Sequence, residues 1–141
     1  MSKTTVNLDK LAAEQAQKMV ERAKQVAEVK KPVETLERLV TKALGVLQAQ
    51  GVYAMMLFLF SRSSDEAKMA PLIREQLYRA LKSLPILDNA DNIPQADTNL
   101  KDVLTFYTEK VLDDLDTLLL VRDLYEQTLI YARYHAKALG D

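Results

Sequence analysis

Glu109, Asp113, Asp114 and Asp116 form the densest group of carboxylates in the chain. Glu109 and Asp113 stand four residues apart, so a helix would place both on one face. Paired carboxylates are candidates for general acid–base work or for holding Mg²⁺. The same residues also suit helix caps and a solvated acidic face, and that is the reading adopted here, with a protein contact as their remaining use. His135, the single histidine, follows Tyr131 by four residues. It has no companion nucleophile or metal ligand, so packing or surface exposure is its expected role. Asp88-Asn89-Ala90-Asp91-Asn92 begins like a calcium loop, but Ala90, Ile93 and Asn99 occupy the third, sixth and twelfth positions. An EF-hand needs an oxygen ligand, Gly and Glu there, so the motif fails. Lys18 with Arg22, and Arg133 with Lys137, are cationic pairs at four-residue spacing. Such pairs repel slightly on an isolated helix, and an anionic partner converts that repulsion into affinity. Taken alone, they read as solvated faces.

Composition narrows the chemistry further. The 141 residues contain no Cys and one His, which excludes disulfides, thiolate metal sites, Cys nucleophiles and any site needing two His ligands. Three glycines build neither a Walker-type nor a dinucleotide-binding loop. No catalytic residue, metal or cofactor is assigned, and no small-molecule substrate is expected. The longest uncharged apolar run, Val52 to Phe60, is too short to span a bilayer. No apolar signal core follows Met1-Ser2-Lys3-Thr4-Thr5. No membrane association is expected, and the expected location is cytoplasmic. The net charge of −1 conceals an asymmetry: residues 1–84 carry 14 cations and 9 anions, or +5, and residues 85–141 carry 5 and 11, or −6. Opposite-signed halves suit a charged partner or head-to-tail association.

The elements that position these side chains read as helical throughout. Few breakers and a wealth of Ala, Leu, Lys, Glu and Gln predict an all-α, single-domain bundle of about six helices over residues 1–141, with residues 1–6 a flexible tail. Apolar residues at three- and four-residue steps predict a helix over 7–30, with Asn7 or Thr5 as cap. Pro32 opens the second helix, which carries Gly45 inside it and breaks at Gln50-Gly51. Val52 to Phe60 is apolar on every side and is expected in the centre of the bundle. Ser63 and Glu66 have capping-box spacing for a fourth helix running to about Ser83, kinked or started by Pro71. Residues 85–98 read as one long loop. A fifth helix covers about 99–112, and a sixth, capped within Asp113–Asp116, runs to Leu139 before Gly140.

Two stretches resemble the small helical subunit of type III-B CRISPR–Cas effector complexes, the Cmr complexes of antiviral defence. The first is Ala43-Leu44-Gly45-Val46-Leu47-Gln48-Ala49-Gln50-Gly51-Val52 followed by Tyr53 to Phe60. It is similar to that family's Leu-Pro-x-x-Ile-x-x-Asn-Gly-Leu and the very apolar helix after it. The second is Val121-Arg122-Asp123-Leu124-Tyr125 with Tyr131-Ala132-Arg133-Tyr134-His135-Ala136, similar to the family's last helix. Gln50 stands where the family has Asn, Gly45 lies near the place of the absent Pro, Tyr131 replaces Trp, and Tyr134 replaces the second basic residue.

The resemblance implies a non-catalytic subunit. Several copies stack head to tail, contact the other subunits of the effector complex, and line the groove holding the guide RNA–target RNA duplex. Base pairing reads the sequence, and protein reads shape and backbone. The resemblance also implies that Arg133 contacts the target RNA backbone; charge and helix position add Lys18, Arg22, Lys42 and Lys137. These five nucleic-acid-binding candidates are expected on one connected face. The alternative is a helical adaptor or regulator that binds protein only, docking through the hydrophobic third helix.

Overall fold

The computed structural model describes residues 7–87, 90 and 92–141. Among the described residues there are six α-helices and no strand: α1 (Leu8–Ala23), α2 (Pro32–Gln50), α3 (Val52–Phe60), α4 (Ser64–Leu81), α5 (Leu100–Phe106) and α6 (Leu115–Leu139). A 3₁₀ turn at Pro85–Leu87 lies in the long α4–α5 connection, and a π-helical turn at Tyr107–Val111 extends α5. The all-α bundle expected from composition is therefore observed. The tail at 1–6, the Thr5 cap and Asp88, Asn89 and Asp91 of the rejected calcium motif lie outside the described residues.

One hydrophobic cluster joins all six helices. Both α1 and α2 pack along α6 and also contact α4, whereas α4 and α6 barely meet. Thus α1 and α2 separate α4 from α6. Two contacts define α2 and α6 as antiparallel. The Asp141 carboxylate accepts the Val33 and Glu34 backbone N–H groups at 3.0 and 2.9 Å. At the other end of α2, Gln48 Nε2 donates to Glu126 at 2.9 Å. Lys31, the residue before α2, provides no side-chain cap, so Asp141 supplies one across the bundle.

α1 ends seven residues earlier than its apolar pattern predicts. After Ala23 the backbone bonds shorten to three-residue steps, Gln25 N–H to Arg22 and Val26 N–H to Ala23. The chain must turn back before Pro32, which bars α geometry at Lys31 (φ −125°, ψ 77°). Val29 then enters the core in place of a further helical turn. Gly51, at φ 98°, makes the sharp break between α2 and α3, a conformation that favours glycine.

α3 is not enclosed on every side. Val52, Met55, Met56 and Leu59 are buried, whereas Leu57 is exposed and Phe58 and Phe60 are half-buried. Two guanidinium groups cover the rings, Arg62 at 3.8 Å from the Phe58 centroid and Arg74 at 3.9 Å from that of Phe60. The same arginines donate to the Phe58 and Leu59 carbonyls at the end of α3. A uniformly apolar helix at the edge of a bundle thus gains a polar outer cover from its neighbours.

Ser63 precedes α4 as its spacing predicts, but its hydroxyl makes no capping bond. Ser64 adopts φ 55°, outside helical geometry, and Glu66 turns to Lys42 and Arg62 instead of the Ser63 amide. Pro71 is exposed within the continuous α4. The fifth helix changes to π geometry at Tyr107, where Leu112 N–H reaches back five residues to the Tyr107 carbonyl. The buried Tyr107 hydroxyl meets that of Tyr125 on α6 at 2.6 Å.

Candidate nucleic-acid interface

The five candidate cations stand on three helices, α1, α2 and α6. Arg22 sits on the side of α1 that meets α4. Its guanidinium lies 2.6 Å from Glu75 and donates to Gln76 Oε1 at 2.8 Å. Gln76 is fully buried and passes a further hydrogen bond to Gln15 on α1. Lys18, one turn earlier on that flank, is exposed. Lys42 leaves α2 toward the start of α4, where its ammonium lies 2.7 Å from Glu66. Arg62 shares the same carboxylate at 3.3 Å.

Arg133 and Lys137 lie on α6. They follow Glu126 by seven and eleven residues and share its stripe on α6, which faces α2. Arg133 is half-buried, Lys137 is exposed, and neither forms an ion pair among the described residues. The structure brings Lys18 together with Arg22, and Arg133 together with Lys137. Of the five, Arg22 and Lys42 are engaged by α4 through Glu75 and Glu66.

Those two ion pairs have electrostatic consequences. The hydrogen bond from Lys42, assisted by Arg62, holds the Glu66 carboxyl below its ordinary value against the opposing effect of burial. Arg22, assisted by Arg79, does the same for Glu75. A phosphate approaching Arg22 or Lys42 must therefore compete with a partner already in place.

The acidic group has a structural role at one member. Asp114 caps α6, accepting the Thr117 backbone N–H at 3.0 Å and the Thr117 hydroxyl at 2.7 Å. These bonds lower its pKa. Glu109, Asp113 and Asp116 are exposed, and His135 is half-buried. Among the described residues, no group of three or more His, Asp or Glu side chains is placed to hold a metal ion.

Two features escaped sequence reasoning. Arg62 and Arg74 face aromatic rings, and the four-residue step from Phe58 to Arg62 is a readable signal for the first of them. Leu112, Leu115 and Leu119 are exposed at the acidic start of α6. The consecutive Leu118-Leu119-Leu120 was the signal for Leu119, since one helix face cannot bury three successive residues. No helix is long and apolar enough to cross a membrane among the described residues. Comparison with protein-family models, curated proteins and solved structures finds no match to this chain.

Proposed function

We propose that the chain is a non-catalytic small subunit of a type III-B CRISPR RNA-guided effector complex. In this reading several copies stack head to tail beside the other subunits and line the groove that holds the guide RNA–target RNA duplex. Arg133 and Lys137 carry the reading: two cations share one stripe of α6, with no ion pair to either among the described residues. Lys18, on α1, is a further exposed cation. Arg22 and Lys42 hold the fold together and contribute little to the RNA.

This division explains why one copy is a poor RNA ligand. Backbone affinity grows with the number of phosphates neutralised, and a stripe of two cations neutralises few. Stacked copies repeat the stripe along the duplex and raise its effective concentration without new contacts within a subunit. The all-α bundle and the opposite-signed halves of the chain suit this arrangement.

A protein-only adaptor docking through the third helix is less favoured, because Val52, Met55, Met56 and Leu59 of α3 are buried in the chain's own core and Leu57 is its one exposed large residue. Affinity purification of the tagged full chain from its native cells tests the proposal. Co-purification of RNA with several effector subunits supports it; a protein partner without RNA contradicts it.

A further inference from the structure

The first two turns of α6 leave an apolar ridge uncovered. Leu115 and Leu119, four residues apart, are 67% and 48% exposed, and Leu112 just before the helix is 36% exposed. Asp123 and Gln127 continue the same four-residue row. The row spans about 18 Å of helix at 1.5 Å per residue. At its far end a cleft of about 310 Å³ is lined by Leu8, Asp9, Asp123, Glu126 and Gln127.

Charge identifies the occupant. Asp113, Asp116 and Asp123 flank the leucines and are exposed, and none forms an ion pair among the described residues. Asp9 and Glu126 add two carboxylates to the cleft, where they accept hydrogen bonds from Tyr131 and Gln48. Arg122, half-buried, is the one cation on this stretch of the face, three residues after Leu119 and four before Glu126. An apolar row ending in an acidic cleft is complementary to leucines followed, two turns along, by Lys or Arg.

A second copy of this chain does not offer that surface. The basic part of the chain, within 7–84, exposes one large hydrophobic residue, Leu57. We infer that the Leu115–Leu119 ridge and its acidic cleft dock a basic amphipathic helix of a different protein. Arg133 and Lys137 follow Leu115 and Leu119 by eighteen residues on the same face of α6, about 27 Å farther along the helix, and the inference does not rest on the RNA-guided reading.

The test uses fluorescence anisotropy with the full chain and two designed helical peptides. One carries Leu on one face and Lys on the other; the second replaces every Lys with Glu. The Leu/Lys peptide is expected to bind at least about tenfold more tightly than the Leu/Glu peptide. Leu119→Ser is expected to weaken Leu/Lys binding about tenfold, as central interface leucines do. Asp116→Lys with Asp123→Lys is expected to reverse the peptide preference. Circular dichroism of each variant checks that α6 is intact; if Leu119→Ser unfolds, the charge-reversal variant decides. Equal binding of both peptides, or a preference unchanged in the charge-reversed variant, overturns the inference. So does sedimentation showing self-association that Leu119→Ser abolishes, which assigns the ridge to a second copy.

Discussion

The Arg22 guanidinium lies 2.6 Å from the Glu75 carboxylate, and that contact fixes α1 against α4. It gives Arg22 a partner within the fold, although its type and spacing match an RNA-binding cation. Glu75 is mostly buried, and Arg22 additionally satisfies the buried Gln76 carbonyl. Replacing Arg22 with Leu is expected to destabilise the bundle by about 1–2 kcal/mol, because two acceptors lose a charged donor. Urea unfolding measures it. A midpoint equal to that of the parent would place Arg22 among the free cations.

Glu66 and Glu75 couple stability to acid. Both carboxyls are held below the ordinary value of 4.5 by their cationic partners. A depressed folded-state pKa means that the unfolded chain binds protons first as pH falls. The stabilisation is therefore complete above 4.5 and declines as pH drops through the lower folded values. Urea midpoints at pH 7 and pH 3 are expected to differ less in a Glu66→Gln, Glu75→Gln variant than in the parent.

The Tyr107–Tyr125 pair is expected to show strong non-additivity. Either Phe substitution leaves the other hydroxyl buried without its partner, at about 1–3 kcal/mol, whereas replacing both removes the unmet demand. The double variant should thus be at least as stable as either single one. Burial pushes both phenols up, and that of Tyr78 up to about 12. Raised pKa values favour the folded state below the ordinary value of 10 and lose that contribution as pH rises through the folded ones. Absorbance titration should accordingly show these three tyrosines ionising late, together with unfolding.

Gly45 lies exposed within α2, and a Cβ added there meets no atom within 4 Å. Gly45→Ala is expected to raise stability by about 0.5–1 kcal/mol through helix propensity and reduced freedom of the unfolded chain. Thermal unfolding checks the sign. A loss would reveal a backbone requirement at Gly45 within α2.

Much of the helical architecture was legible because it depends on local signals. Pro32, Gly51 and Asp114 mark helix boundaries by backbone chemistry that acts within a few residues. The end of α1 was not legible, since Val26 and Ala27 continue the apolar period and only the return to Pro32 forces the turn. The site was harder to read for a related reason. Lys18, Arg22, Lys42, Arg133 and Lys137 are equivalent cations by type, and their availability depends on anions distant in sequence. Glu75 and Glu66, on α4, decide that Arg22 and Lys42 are engaged. The π turn begins at Tyr107, whose buried hydroxyl meets Tyr125 eighteen residues away, and helical spacing alone predicts uninterrupted α geometry there.

The most direct measurement of the central claim is a filter-binding titration of target RNA against the assembled effector complex over several salt concentrations. It compares wild type with an Arg133→Glu, Lys137→Glu variant. If the α6 stripe follows the RNA backbone, the variant binds more weakly on every sequence tested. Its log–log salt slope is also shallower by about 1.4 per engaged copy for single-stranded contacts, because two fewer phosphates are neutralised. Affinity and slope equal to those of the wild-type complex would contradict the claim and assign Arg133 and Lys137 to solvent or to protein contacts.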